Sequence, residues 1–198
     1  MICVGIDPGI TGGIAVIKNG KVVLIRDMPV QNKGNPVRKR SKKTGMMVTR
    51  QKKEVDPIEV YNILDEAIYE FKEWHSLDEK LYIYIEQVSA GVFGKNPDGS
   101  DRTQGVTSAF SLGDSYGVVR AIASCVRVND SVHIRTVRPV EWKKFRGLIG
   151  EDKDKARLLA INLYHEYAHE LKRKKDIGRG DAVMIADYGY AKEIGVIL

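Results

Sequence analysis

Residues 2–27 read ICVGIDPGITGGIAVIKNGKVVLIRD, and the fold turns on this stretch. Ile2, Val4 and Ile6 alternate with Cys3, Gly5 and Asp7, which is the period of a strand. A second apolar run, Gly12 to Ile17, leads into Lys18-Asn19-Gly20-Lys21 and then Val22 to Ile25. An Asn-Gly pair between β-branched runs is a strong hairpin signal, because a tight type I′ turn needs positive φ twice. The stretch therefore predicts a three-stranded antiparallel meander over about 2–7, 12–18 and 21–27.

Working outward, a helix is expected from about 57. Asp56 suits the N-cap, Pro57 the first helical position, and Glu59 stands three residues after the cap. Ile58, Tyr61, Leu64, Ile68 and Phe71 recur at spacings of three and four and predict one apolar face. Leu81 to Glu86 reads as a strand inside a sheet. Residues 89–102 are Gly- and Asp-rich and read as a loop. A helix over 103–124 carries Gly113 and Gly117 one turn apart, a spacing that permits close packing or a dimer contact. A last strand is expected at 132–137, then helices near 139–146, 153–171 and 180–193. The order predicts an α/β fold: a mixed five-stranded sheet with helices on both faces, in one domain spanning 1–198.

The chain has 198 residues, 43% of them hydrophobic and 29% charged, enough for a real core. No run of 18 apolar residues is present, so no membrane-spanning helix is expected. The N-terminus reads as a buried strand rather than a secretory signal. Cys3 and Cys125 lie far apart in apolar segments and read as buried, reduced thiols of a cytoplasmic protein. The net charge of +6 is unevenly placed. Residues 33–53, KGNPVRKRSKKTGMMVTRQKK, hold nine Lys or Arg and no acid. The rest of the chain has 23 basic against 26 acidic residues and is slightly negative. The positive charge is thus a local device, and it points to a polyanion such as nucleic acid. Arg38, Lys39, Arg40, Lys42 and Lys43 are its densest part. The segment has no apolar periodicity and reads as a flexible insertion.

Three acids stand where apolar sequence leaves little room for an unpaired charge. Asp7 ends the first strand, Glu86 ends the strand after five apolar residues, and Asp181 lies near the start of the last helix. Each has an ordinary explanation: Asp7 as a turn residue before Pro8-Gly9, Glu86 as a solvated strand end, Asp181 as an acid favoured by the helix dipole. Together they make a set that repels itself unless a cation neutralises it. Mg²⁺ prefers such oxygen ligands, and two metals on such a set suit phosphodiester hydrolysis. A fourth ligand is sought in Asp176 or Asp187. Asp187 falls on another face of the helix, whereas Asp176 precedes it in a segment able to fold back, so Asp176 is preferred.

The sequence resembles the RuvC family of Holliday junction resolvases, particularly the phage RuvC-like members. The resemblance covers nearly the whole chain. It is carried by GIDPGITGGIAV at 5–16, YIEQV at 84–88, QGVTSAFSLGDSYGVVRA at 104–121, TVRPVEWKK at 136–144, DKDKARLLA at 152–160 and KKDIGRGDAVMIADYGY at 174–190. It implies an RNase H-like fold and a homodimer that nicks two strands of a four-way DNA junction symmetrically. It implies Mg²⁺ as cofactor, with Mn²⁺ an expected substitute, and the cytoplasm as location, that of a bacterial host for a phage-encoded protein. On its motifs Asp7, Glu86 and Asp181 fall on metal-binding acids. Lys155 matches a basic residue near the active site, and Phe93 matches an aromatic that stacks on bases at the junction centre. The position three before Asp181, often an acid or His in bacterial members, is Gly178 here. The basic segment is longer than in the bacterial form, which widens the expected substrates to forks and flaps.

Other readings stay open on sequence. An RNase H-type hybrid nuclease shares the acids. A junction-binding module without catalysis shares the motifs, though its acids would be idle. An actin-like ATPase or kinase shares the Gly-Ile-Asp-Pro-Gly turn, although 198 residues hold only one of its lobes.

Overall fold

The computed structural model describes residues 1–41, 43–71, 79–89, 92–95, 101–103, 105–126 and 132–197. The meander forms as expected, from β1 (Ile2–Asp7), β2 (Gly13–Lys18) and β3 (Lys21–Asp27). Both central residues of the β2–β3 turn have positive φ, Asn19 at 49° and Gly20 at 80°. Two further strands, β6 (Leu81–Glu86) and β9 (Val132–Val137), extend the sheet in the order β3-β2-β1-β6-β9. The pairs β1–β6 and β6–β9 are parallel, and those within the meander are antiparallel.

Strand alternation divides the core in two. Ile2, Val4, Ile6, Ile83 and Ile85 face α1 (Pro57–Phe71) and α2 (Val106–Cys125). Cys3, Ala15, Ile17 and Tyr84 face α4 (Lys155–Leu163) and α5 (Ile177–Glu193). The short α3 (Pro139–Phe145) adds the fully buried Trp142 to this second side. Helices thus cover both faces. Among the described residues, no helix is long and apolar enough to cross a membrane.

Helix α5 lies directly on the sheet, and Gly5 makes the approach possible. A Cβ at Gly5 would stand 2.3 Å from the Ala182 carbonyl oxygen and 2.3 Å from the Ala186 nitrogen. Both are backbone atoms that cannot step aside. Gly5→Ala should therefore cost on the order of 3 kcal/mol, read as a lower urea midpoint. An unchanged midpoint would contradict this packing.

The structure departs from the sequence reading in several places. Most of segment 33–53 is strand rather than loop. It lies in an antiparallel hairpin of β4 (Val30–Arg40) and β5 (Met47–Val55), separate from the main sheet. Backbone pairing satisfies the ladder without an apolar face, which is why hydrophobic periodicity missed it. Pro36, which has no N–H to give, falls where the register shifts between Lys33 and Val37. There the Gln51 side-chain amide donates to the Lys33 and Gly34 carbonyls at 3.2 and 2.9 Å. The 89–102 loop contains a short hairpin, β7 (Val92–Lys95) with β8 (Asp101–Thr103).

In α1, Asp56 caps as expected, its Oδ1 accepting from the Ile58 and Glu59 amides at 3.0 and 3.3 Å. The buried face, however, is Val60, Leu64, Ala67 and Ile68, while Ile58 and Tyr61 are exposed and the Phe71 side chain lies outside the described residues. A Cβ at Gly113 or Gly117 would meet nothing within 4 Å among the described residues, so the pair makes no close packing there. The 153–171 helix is two elements, α4 and a 3-10 stretch over His165–Leu171. The last helix starts earlier than expected, at Ile177. Cys3 is buried as expected, but Cys125 is exposed; both are free thiols.

Candidate active site

Strand alternation and register bring two of the acids together. Asp7 follows Cys3 and Gly5 on the α5 side of β1. Glu86 follows Tyr82 and Tyr84 on the same side of β6. The strands are parallel with Gly5 beside Tyr84 and Ile6 beside Ile85, so Asp7 and Glu86 end neighbouring strands on one face. Helix α5 crosses over Gly5 and carries Asp181 into the same place. Asp7 and Asp181 line a cavity of about 480 Å³ that also has Thr11, Lys143, Lys153 and Gly178 in its wall.

Other side chains fix the frame. Trp142 Nε1 donates to Glu86 Oε1 at 2.9 Å. The start of α5 is tied down by Arg179, which donates to both Asp27 oxygens at 2.6 and 2.8 Å and to Glu170 at 2.9 Å. Arg146, just past α3, forms a bidentate pair with the buried Asp187 at 2.6 and 2.7 Å, and the Tyr164 hydroxyl donates to the same carboxylate at 2.8 Å.

The electrostatics are those of crowded anions. Burial and then the Glu86 charge push Asp7 up to about 7, against the Gly9 amide, which donates at 3.2 Å, and Lys143. Burial and then the charges of Asp7 and Glu86 push Asp181 up to about 8, against Lys143 and Lys153. Burial raises Glu86 too, held back by Trp142 and Lys143. Lys143 is the cation common to all three. Lys143→Met should therefore raise the Asp7 and Asp181 titrations by about half a pH unit or more, read by carboxyl NMR. Unmoved titrations would show that Lys143 stands too far away to matter.

The other expected site residues are placed differently. Asp176 is only 2% exposed and is turned to Arg173, whose amide donates at 2.8 Å and whose guanidinium pairs with it at 2.8 Å. Burial raises Asp176, but Arg173 outweighs this and holds it below the usual range. It is not brought to the three acids. Asp187 is held by Arg146 and Tyr164 instead. Three residues before Asp181, Gly178 leaves no room for a side chain: a Cβ there would run into the Thr11 carbonyl oxygen and the Gly12 backbone. Lys155 opens α4, half exposed, 3.9 Å from Glu151, and is not in the cavity wall. Phe93 lies on β7, with its side chain outside the described residues. Arg38, Lys39 and Arg40 are exposed on β4 and Lys43 is exposed in the hairpin turn, while Lys42 lies outside the described residues.

Sequence reasoning missed Trp142, Lys143 and Lys153. All three lie in segments already singled out, TVRPVEWKK and DKDKARLLA. What would have separated Lys153 from Lys155 is the helix start, since Lys153 precedes α4 and Lys155 begins it.

Carboxylates clustered at strand ends beside a helix start give a hard, anionic oxygen donor set. Among the described residues, no three His, Cys, Asp or Glu close around a common ligand position as they stand. The donor chemistry nevertheless suits a divalent cation: three oxygen acids, mutually repelling, with lysines as the nearby positive charge.

No family model and no curated protein matches the sequence. Solved structures do match. T. thermophilus RuvC in complex with a Holliday junction substrate aligns over 98% of this chain and 96% of that one, with 16% identity and a TM-score of 0.50. A second T. thermophilus RuvC structure aligns over 98% and 97%, with 17% identity and a TM-score of 0.49. The chain's mixed α/β sheet thus has the RNase H-like fold of the RuvC structure bound to a Holliday junction substrate.

Proposed function

We propose that the chain is a divalent-metal-dependent, structure-selective DNA endonuclease that resolves four-way junctions by paired, symmetric nicks. The observation that carries this reading is the convergence of Asp7, Glu86 and Asp181 at one end of an RNase H-like sheet, each held above its ordinary carboxylate range. The RuvC neighbour bound to a Holliday junction substrate supports the choice of branched DNA.

Asp7, Glu86 and Asp181 would hold Mg²⁺, or Mn²⁺ in its place. When bound, such ions would supply charge neutralisation for a phosphodiester and would make a water more acidic. The residues of the chain do the rest. Trp142 holds Glu86 in orientation through its indole N–H. Lys143 and Lys153 add positive charge in the cavity wall, where negative charge develops on the phosphate. Asp176 stays with Arg173 and shapes the start of α5, so three acids carry the site. Lys155 remains a candidate for longer-range charge stabilisation, and Phe93 for stacking at the junction centre.

Two opposed nicks call for two copies related by a two-fold axis, so the working species is a homodimer. Nick mapping on a four-way junction tests this. The expected result is cuts at matching positions on two opposed strands, with two protomers per junction by sedimentation. A strict monomer on DNA, or scattered single nicks, would refute it. A wider range of branched substrates, forks and flaps included, is favoured by the β4–β5 hairpin, whose exposed cations would contact phosphate regardless of sequence.

A further inference from the structure

Hairpin β4–β5 does more than carry charge. Its base is fixed to the domain: Val55 is buried in the core, and Lys33 pairs with Glu54 and with Asp114 of α2, each at 3.0 Å. Beyond Lys33, the seven residues of β4 from Gly34 to Arg40 reach about 23 Å as extended chain, well beyond the roughly 12 Å width of a major groove. From Lys33 to Lys53 there is no acid.

Register puts cations on both faces. Arg38 pairs with Thr49 and Arg40 with Met47 on one face, and Lys39 pairs with Val48 and Val37 with Arg50 on the other. The tip is a formed turn. The Ser41 amide donates to the Met46 carbonyl at 2.8 Å, and the Gly45 amide to the Ser41 carbonyl at 2.9 Å. That turn presents two apolar side chains, Met46 at 71% and Met47 at 54% exposure, among cations and at the end farthest from the core.

A two-stranded ribbon is an element that the major groove of duplex DNA admits, and a ribbon basic on both faces complements the two phosphate walls. Apolar side chains at its tip then meet base edges, including thymine methyl groups. We propose that β4–β5 is a groove-reading arm. It enters the major groove of a duplex arm of the substrate, with its cations on the flanking phosphates and Met46 and Met47 against the bases. This rests on the DNA reading of the active site but uses none of its residues.

The test measures binding of the full chain to an AT-rich linear duplex, in EDTA so that cleavage plays no part. Replacing Arg38, Lys39 and Arg40 by Gln should flatten the salt dependence by about 0.9 log unit for each phosphate that the arm no longer neutralises. Met46→Ser with Met47→Ser should leave that slope unchanged and weaken binding about tenfold. Exchanging thymine for uracil in the duplex should weaken the wild type by about fourfold for each methyl group buried, and should not affect the methionine variant. A major-groove ligand, methyl green, should compete with the arm. An unchanged salt slope, wild-type affinity in the methionine variant, indifference to the thymine methyl groups, or displacement by a minor-groove ligand instead would each overturn the proposal. Junction cleavage is scored in parallel. Cleavage intact with arm variants binding normally defeats the arm alone, whereas groove binding without cleavage of any branched DNA defeats the nuclease reading alone.

Discussion

Asp7→Asn should lower junction cleavage by about 10³-fold or more while leaving junction binding in EDTA within a factor of two or so of the wild type. Glu86→Gln and Asp181→Asn should behave alike. The size follows from the change in chemistry. An amide offers one neutral oxygen where a carboxylate offers charge, and charge is what a hard cation at this site needs. Several kcal/mol of transition-state stabilisation depend on it. Binding survives because the cations of β4–β5 lie on a different element from the three acids. The variants are also separable from misfolding: Asn and Gln keep the shape of the side chains, and Glu86→Gln keeps an oxygen for the Trp142 indole N–H. Cleavage within tenfold of wild type in any of the three would remove that acid from the site.

The same acids set a second large effect, on stability. Folded, Asp7 is pushed up to about 7 and Asp181 to about 8, from an ordinary 3.8. The folded state therefore binds these protons more tightly than the unfolded one. Between pH 4 and 8 it holds more protons than the unfolded chain, so stability falls as pH rises through that window. For Asp7 alone the full penalty is on the order of 4 kcal/mol. In EDTA the melting temperature should drop between pH 5 and pH 8, after allowance for other groups. Mg²⁺ should restore it at pH 8, where Asp7 is mostly ionised and Asp181 about half, and do little at pH 5, where both are protonated. Asp7→Asn should melt about 5 °C or more above the wild type at pH 8 in EDTA, although it cuts nothing. A variant that is inactive and also less stable at pH 8 would mean that the Asp7 carboxylate holds the fold rather than straining it.

Sequence carried the sheet and the acids further than it carried the surface elements. The meander was legible because Asn19-Gly20 demands one turn and the flanking strands alternate strictly. The strand of Glu86 was legible because burial on both faces leaves a continuous apolar run; the half-exposed edge strand 132–137 shows only its Val, Ile and Thr. The three acids stood out as charges at the ends of such runs, and parallel register with α5 packing then brought them together. The basic hairpin was not legible, since a ribbon exposed on both faces has no hydrophobic period to read. Ile58 and Tyr61 misled for a related reason: spacing defines a helix stripe but not which side of it meets the sheet. Asp176 needed its partner, and nothing in the spacing of Arg173 and Asp176 announces a capping ion pair over a metal ligand. Lys143 and Lys153 were hidden by equally charged neighbours, Lys144 and Lys155, and only the course of the backbone around α3 and α4 separates them.

The measurement that bears most directly on the account is cleavage of a labelled mobile four-way junction with Mg²⁺, beside linear duplex, fork and RNA–DNA hybrid. Expected are paired nicks in the junction that yield religatable duplexes, cutting of forks at a lower rate, an intact linear duplex, and no cutting in EDTA. Cleavage of the hybrid alone, or equal cleavage of junction and linear duplex, would contradict it.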